Sequence, residues 1–317
     1  MNPNLSKEIL VLRGKFLFVL RNFFANRGFL EVDTPKLKPV PGMEPFLTPF
    51  EVRSPGGREK GYLVTSPEYS LKQALGLGIS NLYEISQVYR SGESGGLHTA
   101  EFLLLEFYMV GLDEFGLMDV CTDLFSTLER EFLSIGFSKE KVRRLSVPSL
   151  FQEHLGITDS RTDLETFLGK KEPGKSGEFR GMRYEELFFL VFLNDLEPSL
   201  GDGIVYLYDY PAPLAALARV VEDRARRFEI YWNGIELGNA FFECTSLEEM
   251  EERFLEEQKI RKNLGKEVFR MDSNFLRVLR EGIPESSGIA IGLDRLFMAF
   301  LNHGDLKYIS PYYGMLS

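Results

Sequence analysis

Apolar residues recur at helical spacing over residues 5–27, with Ile9, Leu12, Phe16, Val19, Leu20 and Phe23 on one stripe, which predicts an amphipathic helix. Gly28 follows it as a C-cap. Residues 29–35 read as a strand stopped by Pro35, residues 39–45 as a loop, and residues 62–65 as a short strand. Ser66-Pro67-Glu68 opens a helix, with Ser66 at the N-cap and Pro67 in the first turn. Residues 82–90 and 101–110 alternate as an antiparallel pair joined by the Gly/Ser-rich loop 91–96. Residues 113–135 are predicted helical, and residues 140–200 read as a helical insertion with Gly/Lys-rich connections and no legible chemistry. A strand at 205–208, a charged helix over 246–264, a buried strand at 288–292 and a helix at 293–301 complete the pattern. Strands separated by helices and partly joined by hairpins predict an α+β fold around an antiparallel sheet.

The sharpest local signal lies between residues 227 and 239. Asn233-Gly234 sits between alternating apolar runs, the chemistry of a type I′ hairpin turn. Pairing about that turn sets Trp232 opposite Ile235, Tyr231 opposite Glu236 and Ile230 opposite Leu237. Glu229 then shares a sheet face with Glu236, one diagonal step away. Carboxylates that close repel each other unless a cation lies between them, which suits a magnesium–nucleotide site. Two solvated glutamates on an exposed face would give the same pattern.

Composition narrows the function classes. The 317-residue chain is 44% hydrophobic and holds no apolar run long enough to span a membrane as a helix. Its N-terminal stretch lacks the features of a signal peptide. Two cysteines, Cys121 and Cys244, and three histidines disfavour a disulfide framework, a zinc site or a histidine-built metal centre. A reducing cytoplasmic setting is expected. The net charge of −10, with basic residues only in short runs such as residues 224–227, disfavours a broad tRNA or DNA footprint.

Three further segments carry candidate chemistry. In residues 101–110 period-two alternation puts Phe102, Leu104, Glu106 and Tyr108 on one face, so Glu106 needs a ligand ammonium or an arginine partner. Arg90, at the end of the preceding strand, can bridge a carboxylate and a phosphate. In residues 236–243, Asn239 and Glu243 share a face that Glu236 joins only if the strand bulges near Gly238. Gly288–Arg295 is a small-residue strand entering a helix, where Arg295 stands ready for an anion.

In this order the segments resemble the catalytic domain of class II aminoacyl-tRNA synthetases, over about residues 8–303. Residues 23–35 resemble motif 1, residues 83–108 motif 2 and residues 288–295 motif 3. Glu106-Phe107-Tyr108 and Glu236-x-Gly238-Asn239-x-Phe241-x-Glu243 resemble the lysyl branch. Ser66 and Ala290 resemble the lysyl-tRNA synthetase paralogues that attach (R)-β-lysine to elongation factor P, where true lysyl enzymes have alanine and glycine. The resemblance implies a single catalytic domain over 1–317, and a motif 1 helix near residue 5 leaves no room for an N-terminal anticodon-binding OB-fold. It implies ATP and Mg²⁺ as cofactors, (R)-β-lysine or lysine and elongation factor P as partners, and a homodimer built on motif 1.

Residue by residue, the resemblance implies that Arg90 holds the amino-acid carboxylate and α-phosphate and that Phe102 and Arg295 sandwich adenine. His98 and Thr99 lie near the phosphates and nucleotide, with Gly92, Glu93, Leu237 and Gly292 completing that wall. Glu229 and Glu236 carry magnesium. Glu68 and Glu106 hold the backbone-side ammonium beside Ser66 and Ala290, and Tyr108, Asn239 and Glu243 hold the distal one. The family's Arg-Asn-Glu is here Arg90-Ser91-Gly92-Glu93, and its His-Asn-Pro-Glu-Phe is His98-Thr99-Ala100-Glu101-Phe102. These departures keep an inactive binding paralogue in view, beside a truncated lysyl enzyme acting on tRNA. An asparagine synthetase on the same fold is disfavoured, because Glu106, Tyr108 and Glu243 suit a cationic side chain.

Overall fold

The computed structural model describes residues 2–132 and 141–314. Helix α1 (Lys7–Ala25), capped by the Ser6 hydroxyl, leads into β1 (Leu30–Glu31), β2 (Leu37–Lys38), β3 (Glu51–Arg53) and β4 (Lys60–Leu63). Helix α2 (Glu68–Leu75) precedes β5 (Asn81–Tyr89) and β6 (Glu101–Val110). After α3 (Glu114–Phe132) come β7 (Val142–Ser146), α4 (Val147–Leu155), α5 (Arg161–Lys171), α6 (Ser176–Gly181) and α7 (Tyr184–Val191). The chain continues through β8 (Ile204–Pro211), β9 (Val220–Val221), β10 (Arg224–Trp232), β11 (Ile235–Phe242), α8 (Leu247–Asn263), α9 (Ser273–Glu281), β12 (Ser286–Gly292) and α10 (Leu293–Phe300).

The main sheet is ordered β1-β5-β6-β12-β11-β10-β8-β7, with β9 against β10, and β2-β4-β3 form a small second sheet. The central pairs are antiparallel, whereas β1 runs parallel to β5 and β7 parallel to β8 at the edges. The predicted α+β architecture is therefore present. The predicted strand over 29–35 is cut to Leu30–Glu31, because Glu84 accepts from the Thr34 amide and hydroxyl and turns the chain away. The end of the predicted 113–135 helix, residues 133–135, lies outside the described residues. Asn26, not Gly28, is the C-cap of α1; Gly28 takes the next turn at φ 73°.

Alternation along the strands separates the sheet's faces. Leu105 and Phe107 of β6, Ile289 and Ile291 of β12, and Phe228 and Ile230 of β10 pack against α1, α3 and α10 in the main core. Fully buried side chains such as Phe16, Leu20 and Phe24 each contribute about 1.5–3 kcal/mol by leaving water. The stripe expected to meet a second copy of the chain is thus largely spent inside its own core. The opposite face is polar at its centre. Helices α4–α7 cover the β8–β10 side, and α2, α8 and α9 form a separate apolar cluster over the other side. The functional cleft opens between these covers.

Helix α1 is tied to the start of α10 by Arg13 and Asp294, both buried, at 2.9 Å, and Asp294 also accepts from the Leu103 amide at 2.9 Å. Arg13→Met strands a buried carboxylate and is expected to cost about 3–5 kcal/mol. Urea unfolding measures this, and a loss below about 1 kcal/mol would show that the pair does not anchor α1.

Candidate active site

One row of residues crosses the polar face. Glu84 pairs with Glu106, Glu106 with Ala290, Ala290 with Asn239, and Asn239 with Glu229. Directly paired residues in antiparallel strands point to the same face, so this row runs along the site face of the sheet, and Ala290 and Asn239 at its middle form the floor of the cleft. The hairpin makes its turn with Asn233 at φ 49° and Gly234 at φ 75°. Trp232 pairs with Ile235 and Tyr231 with Glu236, but Ile230 pairs with Gly238 rather than with Leu237. Leu237 is the extra residue of a bulge, which puts Glu236 on the face of Asn239 and Glu243. A Cβ at Gly238 would lie 2.6 Å from the Ala290 carbonyl oxygen, so glycine permits the close strand approach.

Each buried carboxylate on this face has partners. The Ser66 hydroxyl donates to Glu106 at 2.5 Å and the Tyr108 hydroxyl at 3.4 Å. Burial, with help from Glu68, pushes the Glu106 carboxyl well above the usual range. Lys72 lies 2.6 Å from Glu243 and donates to Glu68 at 2.7 Å. Burial pulls the Lys72 pKa down, and Glu243 and Glu68 more than reverse that. Burial raises Glu243 to about 7, against the pull of Lys72. Glu229 accepts from Tyr210 at 2.5 Å, Tyr231 at 2.8 Å and Arg227 at 2.6 Å. At Gly288 a Cβ would meet the Tyr108 ring at 2.2 Å, so glycine lets that ring pack close against β12.

Above the floor lies a cleft of about 320 Å³. Arg90, Glu93, His98, Thr99, Phe102, Glu236, Leu237, Gly292 and Arg295 border it, and so do Ser66, Glu68, Asn239 and Ala290. The Arg90 guanidinium stands 5.1 Å from the Phe102 ring centroid. Arg295 donates to the Leu97 and Glu236 carbonyls at 3.1 and 2.9 Å and touches His98. Burial, then Arg295, holds the His98 pKa below the ordinary histidine value, which favours a neutral ring. In the altered loop Gly92 sits at φ 86° and does not border the cleft, and Glu93 comes within 3.7 Å of Arg90.

Glu106, Tyr108 and Glu243 do not border the cleft; they lie beneath its floor. Glu229 is not brought to it either. Its carboxylate accepts from three donors and lies near enough to Glu236 to push that carboxyl up. Glu236 fits a divalent cation. It borders the cleft, and burial and Glu229 push its carboxyl up to about 7, with Arg295 pulling back. Among the described residues no group of three or more His, Cys, Asp or Glu is arranged to hold a metal. The basic run at 224–227 is spent internally: Arg224 pairs with Asp159, Arg226 with Glu114 and Arg227 with Glu229.

Sequence reasoning missed Lys72, Glu44 and Glu257. The four-residue spacing from Glu68 to Lys72 on a helix was an available signal. Glu257 sits in a helix whose charges read as solvated, and Glu44 in a loop without periodicity.

An antiparallel floor closed by a glycine-rich strand, with an arginine beside an aromatic ring above it, is the arrangement of a known synthetase class. The family model for class II tRNA synthetases (D, K and N) matches residues 1–314, and the chain belongs to this family. Among similar proteins, the elongation factor P–(R)-β-lysine ligase of Enterobacter sp. (strain 638) is 35% identical over 310 residues, covering 94% of this chain and 93% of that one. The protein of the same description from Pectobacterium atrosepticum is 34% identical over 309 residues, with 94% and 93% covered. That from Edwardsiella ictaluri is 34% identical over 311 residues, with 95% and 93% covered.

Glu236 and Glu243 bind a proton more tightly folded than unfolded, since their pKa values rise from 4.5 to about 7. Their contribution is fully present below about pH 4.5 and is lost as pH rises through 7, so they lower stability toward alkaline pH. Glu236→Gln is expected to gain on the order of 1–2 kcal/mol over the parent at about pH 8 and little at about pH 5. Urea melts in metal-free buffer at both pH values check this, and an equal gain at both would mean that Glu236 carries no raised pKa.

Proposed function

We propose that the chain activates (R)-β-lysine with ATP as an aminoacyl-adenylate and transfers the aminoacyl group to a lysine side chain of elongation factor P. The observation that carries this reading is a single cleft joining an arginine–aromatic wall, Arg90, Phe102 and Arg295, to a floor whose central residue is Ala290. The described function of the similar ligases supports it. The substrate carboxylate attacks the α-phosphorus of ATP and pyrophosphate leaves. Arg90 meets the charge that develops on the phosphoryl oxygens, while Phe102 and Arg295 enclose the adenine. Magnesium held by Glu236 would neutralise phosphate oxygens. The acceptor amine then attacks the mixed anhydride, and AMP leaves as the amide forms. Ser66 holds Glu106 beneath the bound amino acid.

The net charge of −10 favours a protein acceptor over tRNA. ATP as a substrate and a translation factor as acceptor favour a cytoplasmic setting. A homodimer is part of the same reading. On α1, Leu10, Val11 and Phe18 are exposed apolar residues, and Leu30 and Leu37 in the strands that follow are exposed as well. A twofold interface would cover them. Light scattering at micromolar concentration is expected to give a dimer mass for the parent and a monomer mass for Phe18→Glu; a monomeric parent would sink the dimer.

Amino-acid-dependent exchange of pyrophosphate into ATP tests the reaction. The Ala290 methyl stands between Glu106 and Asn239 in the floor row, where one methyl group changes selectivity by about 10–200-fold. (R)-β-Lysine is expected to outperform α-lysine, and Ala290→Gly to narrow the gap. A parent that prefers α-lysine, with an unchanged ratio in Ala290→Gly, would overturn the choice of isomer.

A further inference from the structure

Arg227, on β10, is more than a counter-charge for Glu229. Its side chain is buried, and its guanidinium reaches past its own strand. Nη2 donates to Glu229 Oε1 at 2.6 Å and to Asn239 Oδ1 at 2.9 Å, and Nη1 donates to the Leu214 carbonyl at 2.7 Å. The rings of Tyr210 and Phe241 stand 4.5 and 5.6 Å from the guanidinium carbon and close it in from β8 and β11. One side chain thus joins the floor residue Asn239, the acid Glu229 and the loop that leads to Ala216 and Leu217, both of which border the cleft. Its Nε is buried without a hydrogen-bond partner. A residue serving packing alone would not carry that cost.

The bond to Asn239 has a chemical consequence. A guanidinium carries donors and no acceptor, so the carboxamide atom turned toward it is the oxygen. The NH2 group turns the other way. Asn239 is half-buried and borders the cleft, and among the described residues its side chain makes no hydrogen bond besides the one from Arg227. Beside Ala290 the floor therefore presents a donor. An ammonium group has nothing to accept from it, so this orientation does not suit the distal ammonium that the family resemblance implied for Asn239. The acceptor oxygens of an amino acid are those of its carboxylate, the group that attacks ATP. A carboxamide without Arg227 could turn either end to the cleft.

We propose that Arg227 is a positioning residue, which locks the Asn239 carboxamide with its NH2 group toward the cleft so that it meets the substrate carboxylate. The proposal rests on the functional reading above. Its test is pyrophosphate exchange with (R)-β-lysine by the parent, Arg227→Lys, Asn239→Ala, the double variant Arg227→Lys/Asn239→Ala, and Asn239→Asp. Lysine keeps the charge of Arg227 and loses the fixed fork of donors. Arg227→Lys and Asn239→Ala are each expected to lower kcat/KM for (R)-β-lysine by about tenfold or more, with the KM for ATP within about twofold. The double variant is expected to stay within about twofold of Asn239→Ala, because both changes remove one oriented donor. Asn239→Asp, equal in shape but without the N–H, is expected to lose as much as Asn239→Ala. Parental kcat/KM in Asn239→Asp would mean that the carboxamide oxygen faces the cleft, and would overturn the proposal. Losses that multiply in the double variant, or an equal rise in the KM for ATP, would make Arg227 a general support of the fold and overturn it too. If the parent activates no amino acid, the functional reading fails by itself, and urea unfolding of the parent, the two single variants and the double variant decides the inference. Stability losses that fall short of their sum in the double variant support the oriented bond; losses that add refute it.

Discussion

A row of carboxylates laid across a buried sheet face is the constraint that organises this molecule. An unpaired buried carboxylate costs several kcal/mol, so each one must be met from another element. Glu84 takes Thr34 and Lys36, and thereby fixes the chain leaving β1. Glu106 takes Ser66 and positions the start of α2. Glu243 takes Lys72 and locks α2 over the sheet. Glu229 takes Arg227, Tyr210 and Tyr231 and draws β8 and β10 together. Compensating the acids is therefore also what sets the covering elements around the cleft.

The same constraint divides the site into two levels. Residues whose charge is met internally sit beneath the floor, and those left to meet a ligand sit above it. The β11 bulge makes the division possible. Without the extra residue at Leu237, Glu236 would point into the core shared by α1, α3 and α10. Glycine at 238 and 288 lets neighbouring groups approach β11 and β12 closely enough to hold the floor together.

Much of this was legible in the sequence because it is written in local patterns. Alternation marked β6 and its antiparallel partner β5, and Asn233-Gly234 marked the hairpin with two of its pairings. Parity along residues 236–243 required the bulge that is present. The order of the motifs identified the class of fold. What escaped was set by tertiary partners. What meets Glu229 depends in part on β8, which supplies Tyr210 from a separate strand. Lys72 reads as a surface lysine until β11 sets Glu243 against it. The strand β7 is short and half polar, the apolar stripe of α9 at Phe275, Val278 and Leu279 was passed over, and the loop holding Glu44 is ordered by donors from α8 and the turn after it.

The parallel pairing of β7 with β8 makes the helices between them one long crossover, with both ends pinned to the same sheet edge. The closure entropy of such a connection grows slowly, at about 0.6 kcal/mol for each doubling of length, so its outer turns can lengthen or shorten at small thermodynamic cost. Its inner side has no such latitude. Leu187, Phe188 and Phe192 share a cluster with Tyr210 and Tyr231, the tyrosines that hold Glu229. An insertion at an outer turn leaves the catalytic floor untouched, whereas a single methylene lost from the inner face shifts the hydroxyls on which that floor rests.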